Sequence, residues 1–419
     1  MRTWILLIIA TLCGSIASAA EPVLRPGDRL AICGDSITEQ RVYSVMLETY
    51  LLACKPAANV TAVQFGWGGE TSWQFLPRIE HDVLPFEPTV ATIHYGMNDG
   101  GYAALTPERE KQFRDAMSAV VRKFQEAGVR VIVASPGCVD THYFDKRYTP
   151  GHHVVYNKAL ATLRDIARDV AAVEQCPFAD VYGAMFDVQA KAKARYGPEY
   201  PLAGPDGFHP VANGHLVIAY ALLKALGCDG DLGTITLDAV SGKATATGGH
   251  EIVSAQSGII MLKSSRYPFC FYGDPAGPNE PTSPYSTKGI LDFLPFNEDL
   301  NRFRLVVTGL SSDFATVTWG GGSKAFSKAE LQAGINLAAE FLDNPFSEPL
   351  KRVEQAVRRQ QDFETPMIRN LVNGVRELLP EERTPYEQLL SVAMKKDAAL
   401  AAAASQAVVP VTHTIRIQP

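Results

Sequence analysis

From residue 29 to about residue 228, short apolar runs ending in Gly or Asp alternate with longer stretches in which apolar residues recur at helical spacing. The runs RLAIC (29 to 33), NVTAVQF (59 to 65), TVATIHY (89 to 95), VRVIVAS (129 to 135) and the weaker FADVY (178 to 182) are rich in Val, Ile and Ala. Near-continuous apolar strands are what burial on both faces of a parallel sheet requires. Helical patterns separate them, such as the one from Pro107 to Ala127, with Thr106 placed to cap it and Gly128 to end it. This order predicts an α/β fold, a doubly wound parallel sheet in a three-layer sandwich spanning residues 21–228.

After Gly227 the period changes. GTITLDAVSGKATATGGHEIV and RFRLVVTGLSSDFATVTWGGG alternate apolar and polar positions around Gly-rich turns. That pattern argues for antiparallel strands and a second, β-rich domain over residues 229–326. Within it, residues 266 to 295 are rich in proline and aromatics and read as a long ordered loop. Residues 327–406 return to a helical period, ending in the low-complexity run 397 to 407, and VTHTIRI (411 to 417) alternates again. The expectation is that residues 407–419 form a terminal strand returning to the β-rich domain, so that the helices are an inserted arm.

The first twenty residues stand apart: Arg2 precedes an apolar run from Trp4 to Leu12, and small residues follow to Ala20. This reads as a signal peptide over residues 1–20, and so as an exported protein, periplasmic or secreted. The chain as a whole has an ordinary globular composition, 46% hydrophobic and 20% charged, which excludes disorder as its main state. With 39 basic against 45 acidic residues and no Lys/Arg block, neither nucleic acid nor membrane insertion beyond the leader is expected. The six cysteines after the leader show no C-x-x-C or zinc spacing. At most one or two disulfides are expected among them.

Chemistry enters where the strands end. AICGDSIT puts Ser36 at the first strand-to-helix turn, where a side chain can face the cleft at the carboxyl edge of the sheet. Such a triplet also suits plain helix capping by Asp35 or Ser36. FGWGGET (65 to 71) and YGMND (95 to 99) end the second and third strands and open on the same edge. Acyl transfer needs donors aimed at a developing oxyanion, and glycines at 66, 68 and 69 with the Asn98 amide supply that type of donor. The same residues serve tight turns equally well. PDGFHPVANGH places Asp206 and His209 three residues apart ahead of an apolar helix, a spacing that lets a carboxylate orient a general base. His215, inside that helix pattern, reads as a packed histidine. Trp67 and Trp73 flank the Gly-rich turn, placed either to stack on a sugar face or to pack. His142, His152 and His153 fit no metal-ligand spacing and read as a cleft rim, so no metal and no cofactor is expected.

GDSIT, the Gly-rich second block, YGMND and DGFHP, in this order, resemble the four blocks of the SGNH subgroup of GDSL esterases and lipases. The resemblance covers residues 26 to 228. It implies that Ser36 is the nucleophile, His209 the base and Asp206 its partner, with Ser36 N–H, a Gly N–H and Asn98 as the oxyanion hole. The glycine preceding the acidic residue is Gly69, with Gly66 as the alternative. Gln64 departs from the Asn that usually opens the second block. The C-terminal region resembles extensions of some exported bacterial members, and its aromatic loop, with Tyr267, Phe269, Phe271, Tyr272 and Tyr285, suggests a lid over the cleft or a glycan contact. The function expected is a serine ester hydrolase for acetyl or short-acyl carbohydrate, a small-molecule or glycan ester. The alternatives are a lipase or thioesterase of the same fold, or a non-catalytic glycan-binding protein.

Overall fold

The structure, a computed structural model, describes residues 23–273, 283–378 and 383–418. The expected leader and the middle of the proline-rich loop lie outside the described residues. Five parallel strands form the first sheet: β1 (Arg29–Gly34), β2 (Thr61–Gln64), β3 (Val90–His94), β4 (Arg130–Ala134) and β5 (Phe178–Ala179), in the order β2-β1-β3-β4-β5. All five residues of β3 are buried, as are all but the first of β1, because helices cover both faces. β5 is shorter than its apolar run, since Asp180 accepts a hydrogen bond from Gly183 N and starts the helix Val181–Tyr196. The chain winds outward in both directions from β1 and β3, so the crevice beyond their carboxyl ends is the topological switch point where α/β sheets place ligands.

Beyond Cys228 two further sheets pack together. One runs β13 (Ile335–Asn336), β10 (Arg302–Thr308), β6 (Asp231–Asp238), β7 (Ala244–Ala246). The other runs β12 (Gly322–Ser327), β11 (Phe314–Trp319), β14 (Val411–Gln418), β9 (Ile259–Ser264), β8 (His250–Gln256). The expectation of antiparallel pairing fails at one place, because β6 and β10 run parallel. Between them the chain crosses to the other sheet for β8 and β9 and returns in the original direction.

Phe303 meets Trp319, His250 and His413 across the gap between these sheets. There the Trp319 indole N–H donates to His413 Nδ1 at 3.1 Å, which places the proton of a neutral His413 ring on Nε2, 2.9 Å from Ser264 Oγ. The Ser264 hydroxyl then donates to His250 Nδ1, and His250 Nε2 donates to Leu232 O, both at 2.8 Å. Every polar group in this chain has a partner, and burial pushes His413 down to about 3, so it stays neutral.

Among the described residues, the aromatics of the loop do not form a lid. Tyr267, Phe269 and Phe271 are buried, packed against Phe346 and Phe296, and Tyr267 N donates to Ala53 O of the α/β domain. The segment joins the two halves of the molecule, leaving only Tyr285 of the aromatics named above well exposed. Cysteines 33, 54, 138, 176, 228 and 270 are all free thiols.

The helical arm lies on the α/β domain. Helix Ser347–Pro366 packs against helix Tyr43–Ala53 and the edge strand β2. An edge strand offers unpaired backbone groups, and the arm occupies them: Gln360 Nε2 donates to Ala62 O at 2.9 Å and Gln64 N donates to Glu364 Oε2 at 2.8 Å. Gln361 adds a bond to Glu48 Oε2 at 2.8 Å. Burial pushes the carboxyls of Glu48 up to about 8 and Asp397 up to about 6, and drives Glu364 well above the usual carboxylate range.

Each of these acids keeps its proton to a higher pH in the folded state than in the unfolded one. The folded state therefore holds more protons between the ordinary carboxylate range and about pH 8, with Glu48 ionising after Asp397. Stability then falls as pH rises through that window. Glu48→Gln should flatten this part of the fall, giving a melting temperature that declines less than wild type between pH 5 and pH 8; equal slopes would contradict it.

Candidate active site

Asp35 caps the turn Ser36–Glu39, accepting from Ile37 N at 2.9 Å, while Ser36 occupies its first position with the hydroxyl free for other work. Capping and a hydroxyl that faces the cleft are therefore divided between neighbours. Burial pushes Asp35 up to about 7, although the Ile37 N–H favours its charge. Ser36 Oγ lies 2.8 Å from His209 Nε2, and His209 Nδ1 lies 2.6 Å from Asp206 Oδ2. The other carboxylate oxygen of Asp206 accepts from His209 N at 2.9 Å and Phe208 N at 3.2 Å. Burial opposes the Asp206 charge, but these hydrogen bonds from the His209 ring and the two backbone amides hold it below its ordinary value. The loop closes tightly at Gly204, where a Cβ would sit 1.7 Å from His209 O.

On the other side of Ser36 the residues Trp67–Glu70 form a turn closed by Glu70 N donating to Trp67 O, with Gly69 at φ +77°. Gly66 N donates to Gln64 Oε1 at 2.6 Å, so its N–H is committed; Gln64 thereby joins the turn to the arm, donating to Thr365 Oγ1 at 2.7 Å. The N–H of Gly69 has no hydrogen-bond partner among the described residues. Asn98 donates through Nδ2 to Glu70 O at 3.0 Å and accepts at Oδ1 from the Tyr102 hydroxyl at 2.8 Å. Its amide is held at both ends, and the second N–H of Nδ2 stays available.

Four residues support this arrangement, two of them, Glu70 and Asp99, inside the sequence motifs but without an assigned role, and two, Tyr102 and Arg78, outside them. Asp99 accepts from Gly96 N and from both Ser72 N and Ser72 Oγ, tying the loop after β3 to the turn after β2. Tyr102 takes a left-handed φ of 57° to reach Asn98. Glu70 and Arg78 form a buried pair, Arg78 Nη1 lying 2.8 and 2.7 Å from the two Glu70 oxygens, with Arg78 Nε 2.7 Å from Asp82. Arg78 and Asp82 stand four residues apart, the spacing at which side chains of one helical turn meet.

Ser36 and His209 open on a cleft of about 370 Å³ also lined by Glu39, Gln40 and Arg41. A neighbouring cavity of about 550 Å³ is lined by Trp67, Gly69, Arg78 and, from the arm, Asn373 and Arg376. The Trp67 ring is already engaged, with the guanidinium carbons of Arg78 and Arg369 at 4.3 and 4.6 Å from its centre. Trp73 lines neither cavity and has Arg109 at 6.0 Å. Neither indole presents itself as a free stacking platform. His215 is buried, bonded to Gln40 and stacked on Tyr43. His142, His152 and His153 pair with Glu199, Tyr102 O and Asp145.

At the switch point of the parallel 2-1-3-4-5 sheet Ser36, His209 and Asp206 form one hydrogen-bonded chain, and the protein is an ester hydrolase of the SGNH type. The α/β domain is a GDSL-like lipase/acylhydrolase domain, residues 32–217 matching the model of the GDSL-like Lipase/Acylhydrolase family. No curated protein matches the chain in sequence. Among solved structures, "BT4096 a gut microbial diltiazem-metabolizing enzyme" is similar over 94% of this chain and 98% of its own, with TM-score 0.71 and 21% identity. The fold it shares therefore includes the C-terminal sheets and arm. LAE5, an alpha/beta hydrolase from the metagenome of Lake Arreo, Spain, aligns with 49% of this chain and 98% of its own at 24% identity and TM-score 0.39. Axe2, an acetylxylan esterase from Geobacillus stearothermophilus, aligns with 49% and 96% at 20% identity and TM-score 0.41.

Proposed function

We propose that this ester hydrolase works through an acyl-enzyme on Ser36, with His209 as general base and Asp206 holding its ring. The observation that carries the reading is the unbroken chain from Ser36 Oγ through His209 to Asp206, at 2.8 and 2.6 Å. His209 takes the Ser36 proton as Oγ attacks the ester carbonyl and then returns it to the leaving alcohol. Water, activated by the same imidazole, releases the acid. The N–H groups of Ser36 and Gly69 and the free N–H of Asn98 receive the oxyanion. Gly69 is preferred to Gly66 because the Gly66 N–H is occupied by Gln64.

The substrate is an acetyl or other short-acyl ester of a polar alcohol such as a carbohydrate, met outside the cytoplasm after removal of the leader. The cleft supports this, because the side chains lining it beside Ser36 and His209 are those of Glu39, Gln40 and Arg41, with no aliphatic side chain among them to receive a long acyl chain. The test compares p-nitrophenyl acetate with p-nitrophenyl octanoate and measures acetate released from acetylated oligosaccharides. Acetate ester hydrolysed faster than octanoate, with acetate released from the sugars, is the expected result. Preference for octanoate would favour a lipase or thioesterase.

A further inference from the structure

We propose that Arg369, delivered by the C-terminal arm, is a positioning and specificity-determining residue of the catalytic cleft: it holds and neutralises the Glu39 carboxylate, and that carboxylate in turn keeps the guanidinium from receiving acidic acyl groups. This rests on the reading of Ser36 as the nucleophile. Glu39 lines the same cleft as Ser36 and His209, at the end of the turn that Ser36 begins. Its carboxylate is seated against the oxyanion turn, since a Cβ added to Gly68 would lie 2.6 Å from Glu39 Oε2 and 3.9 Å from Ser36 Cβ. The partner of that carboxylate is Arg369, whose Nη1 bonds Glu39 Oε1 and whose guanidinium also lies over Trp67. Arg369 thus spans the turn after β1 and the turn after β2, both of which carry parts of the site.

The arm grips the same region at further points. Arg41 Nε lies 2.9 Å from Asp362 Oδ1, Arg41 Nη1 donates to Thr365 Oγ1 at 3.0 Å, and Arg358 Nη1 donates to the Arg41 carbonyl at 3.4 Å. Arg41 has a left-handed φ of 54°, uncommon for a residue with a side chain, and these contacts hold both its side chain and its carbonyl. The winding changes just before Arg369. Helix Ser347–Pro366 gives way after Pro366 to the wider π-helical turns of Met367–Val375, and such irregular winding concentrates at functional sites.

The charge consequence is specific. An unneutralised carboxylate beside Ser36 repels both an anionic acyl group and the oxyanion of the transition state. With Arg369 in place the pair is nearly neutral toward an acetyl group. Without Arg369 the Glu39 charge stands uncompensated. Without Glu39 the Arg369 guanidinium is released to meet an anionic substrate, which arginine binds well.

The experiment measures kcat and KM for p-nitrophenyl acetate and for the anionic mono-p-nitrophenyl glutarate, with wild type, Glu39→Gln, Arg369→Met and the double variant, and with Ser36→Ala as the blank. Glu39→Gln is expected to raise the glutarate-to-acetate ratio of kcat/KM about tenfold, chiefly through a lower KM for glutarate. Arg369→Met should lower that ratio by a similar factor and lower kcat for acetate. The double variant should lie nearer wild type than Arg369→Met does in kcat for acetate, and Arg369→Lys should recover part of the loss.

A glutarate-to-acetate ratio within about twofold of wild type in both Glu39→Gln and Arg369→Met would overturn the proposal. Glu39→Gln keeps the test open if Arg369→Met fails to fold. Turnover surviving in Ser36→Ala would instead overturn the reading on which the proposal rests, whatever the ratio does.

Discussion

His209→Ala is expected to lower kcat for a short-acyl ester by on the order of 10⁴- to 10⁶-fold while leaving the protein folded. The Ser36 hydroxyl has its hydrogen bond to His209 Nε2 and, among the described residues, no other side-chain base at hydrogen-bond distance. Without the imidazole the serine attacks as a neutral alcohol, and the leaving group departs unprotonated. The oxyanion donors remain, so residual catalysis above the uncatalysed rate is expected. His209 is only half-buried, and its ring contacts one neighbouring aromatic, Phe208, so little packing is lost. A melting temperature close to wild type should accompany the loss of rate. Asp206→Asn should cost about 10⁴-fold. The amide both loses the tautomer control that the 2.6 Å bond supplies and weakens the two backbone bonds that shape the loop. Rates within tenfold of wild type in either variant would contradict these roles.

Arg78→Met carries the largest expected cost in stability, about 3–5 kcal/mol, because it strands two buried carboxylates at once. Glu70 and Asp82 are almost fully buried, and Arg78 neutralises both. Burial already pushes the Glu70 carboxyl up, and it is the guanidinium, with the Tyr95 hydroxyl, that pulls against it. The effect should reach the site as well, because Glu70 O accepts from Asn98 and the Arg78 guanidinium lies against Trp67. A fall in the urea midpoint together with a lower kcat for acetate ester is expected. An unchanged midpoint would mean that the pair contributes nothing net to the fold.

The parallel sheet was legible because its central strands are buried on both faces, so that every position of a run such as VATIH is buried and no polar-out alternation interrupts it. The terminal alternation at 411 to 417 likewise sufficed to read a strand, and β14 lies there. Pairing was less legible. β6 and β10 are parallel partners whose local patterns are those of any half-buried strand, and only the path of the intervening chain fixes their direction.

The aromatic loop misled because Pro and aromatic residues suit a buried joint as well as an exposed lid, and composition does not say what Tyr267 and Phe269 pack against. At the site, residues at strand ends stood out through their motifs. Arg78, Tyr102 and Arg369 did not, since each acts through a contact made only on folding; Glu39 and Arg369 are 330 positions apart.

The central claim is that Ser36 is the nucleophile, and covalent labelling tests it most directly. The purified protein is treated with a fluorophosphonate, which phosphonylates an activated serine, and the adduct is located by peptide mass spectrometry beside Ser36→Ala. One adduct on Ser36, absent from Ser36→Ala and formed in step with loss of p-nitrophenyl acetate hydrolysis, is the predicted result. Labelling at another residue, or hydrolysis of p-nitrophenyl acetate by Ser36→Ala at the wild-type rate, would contradict it.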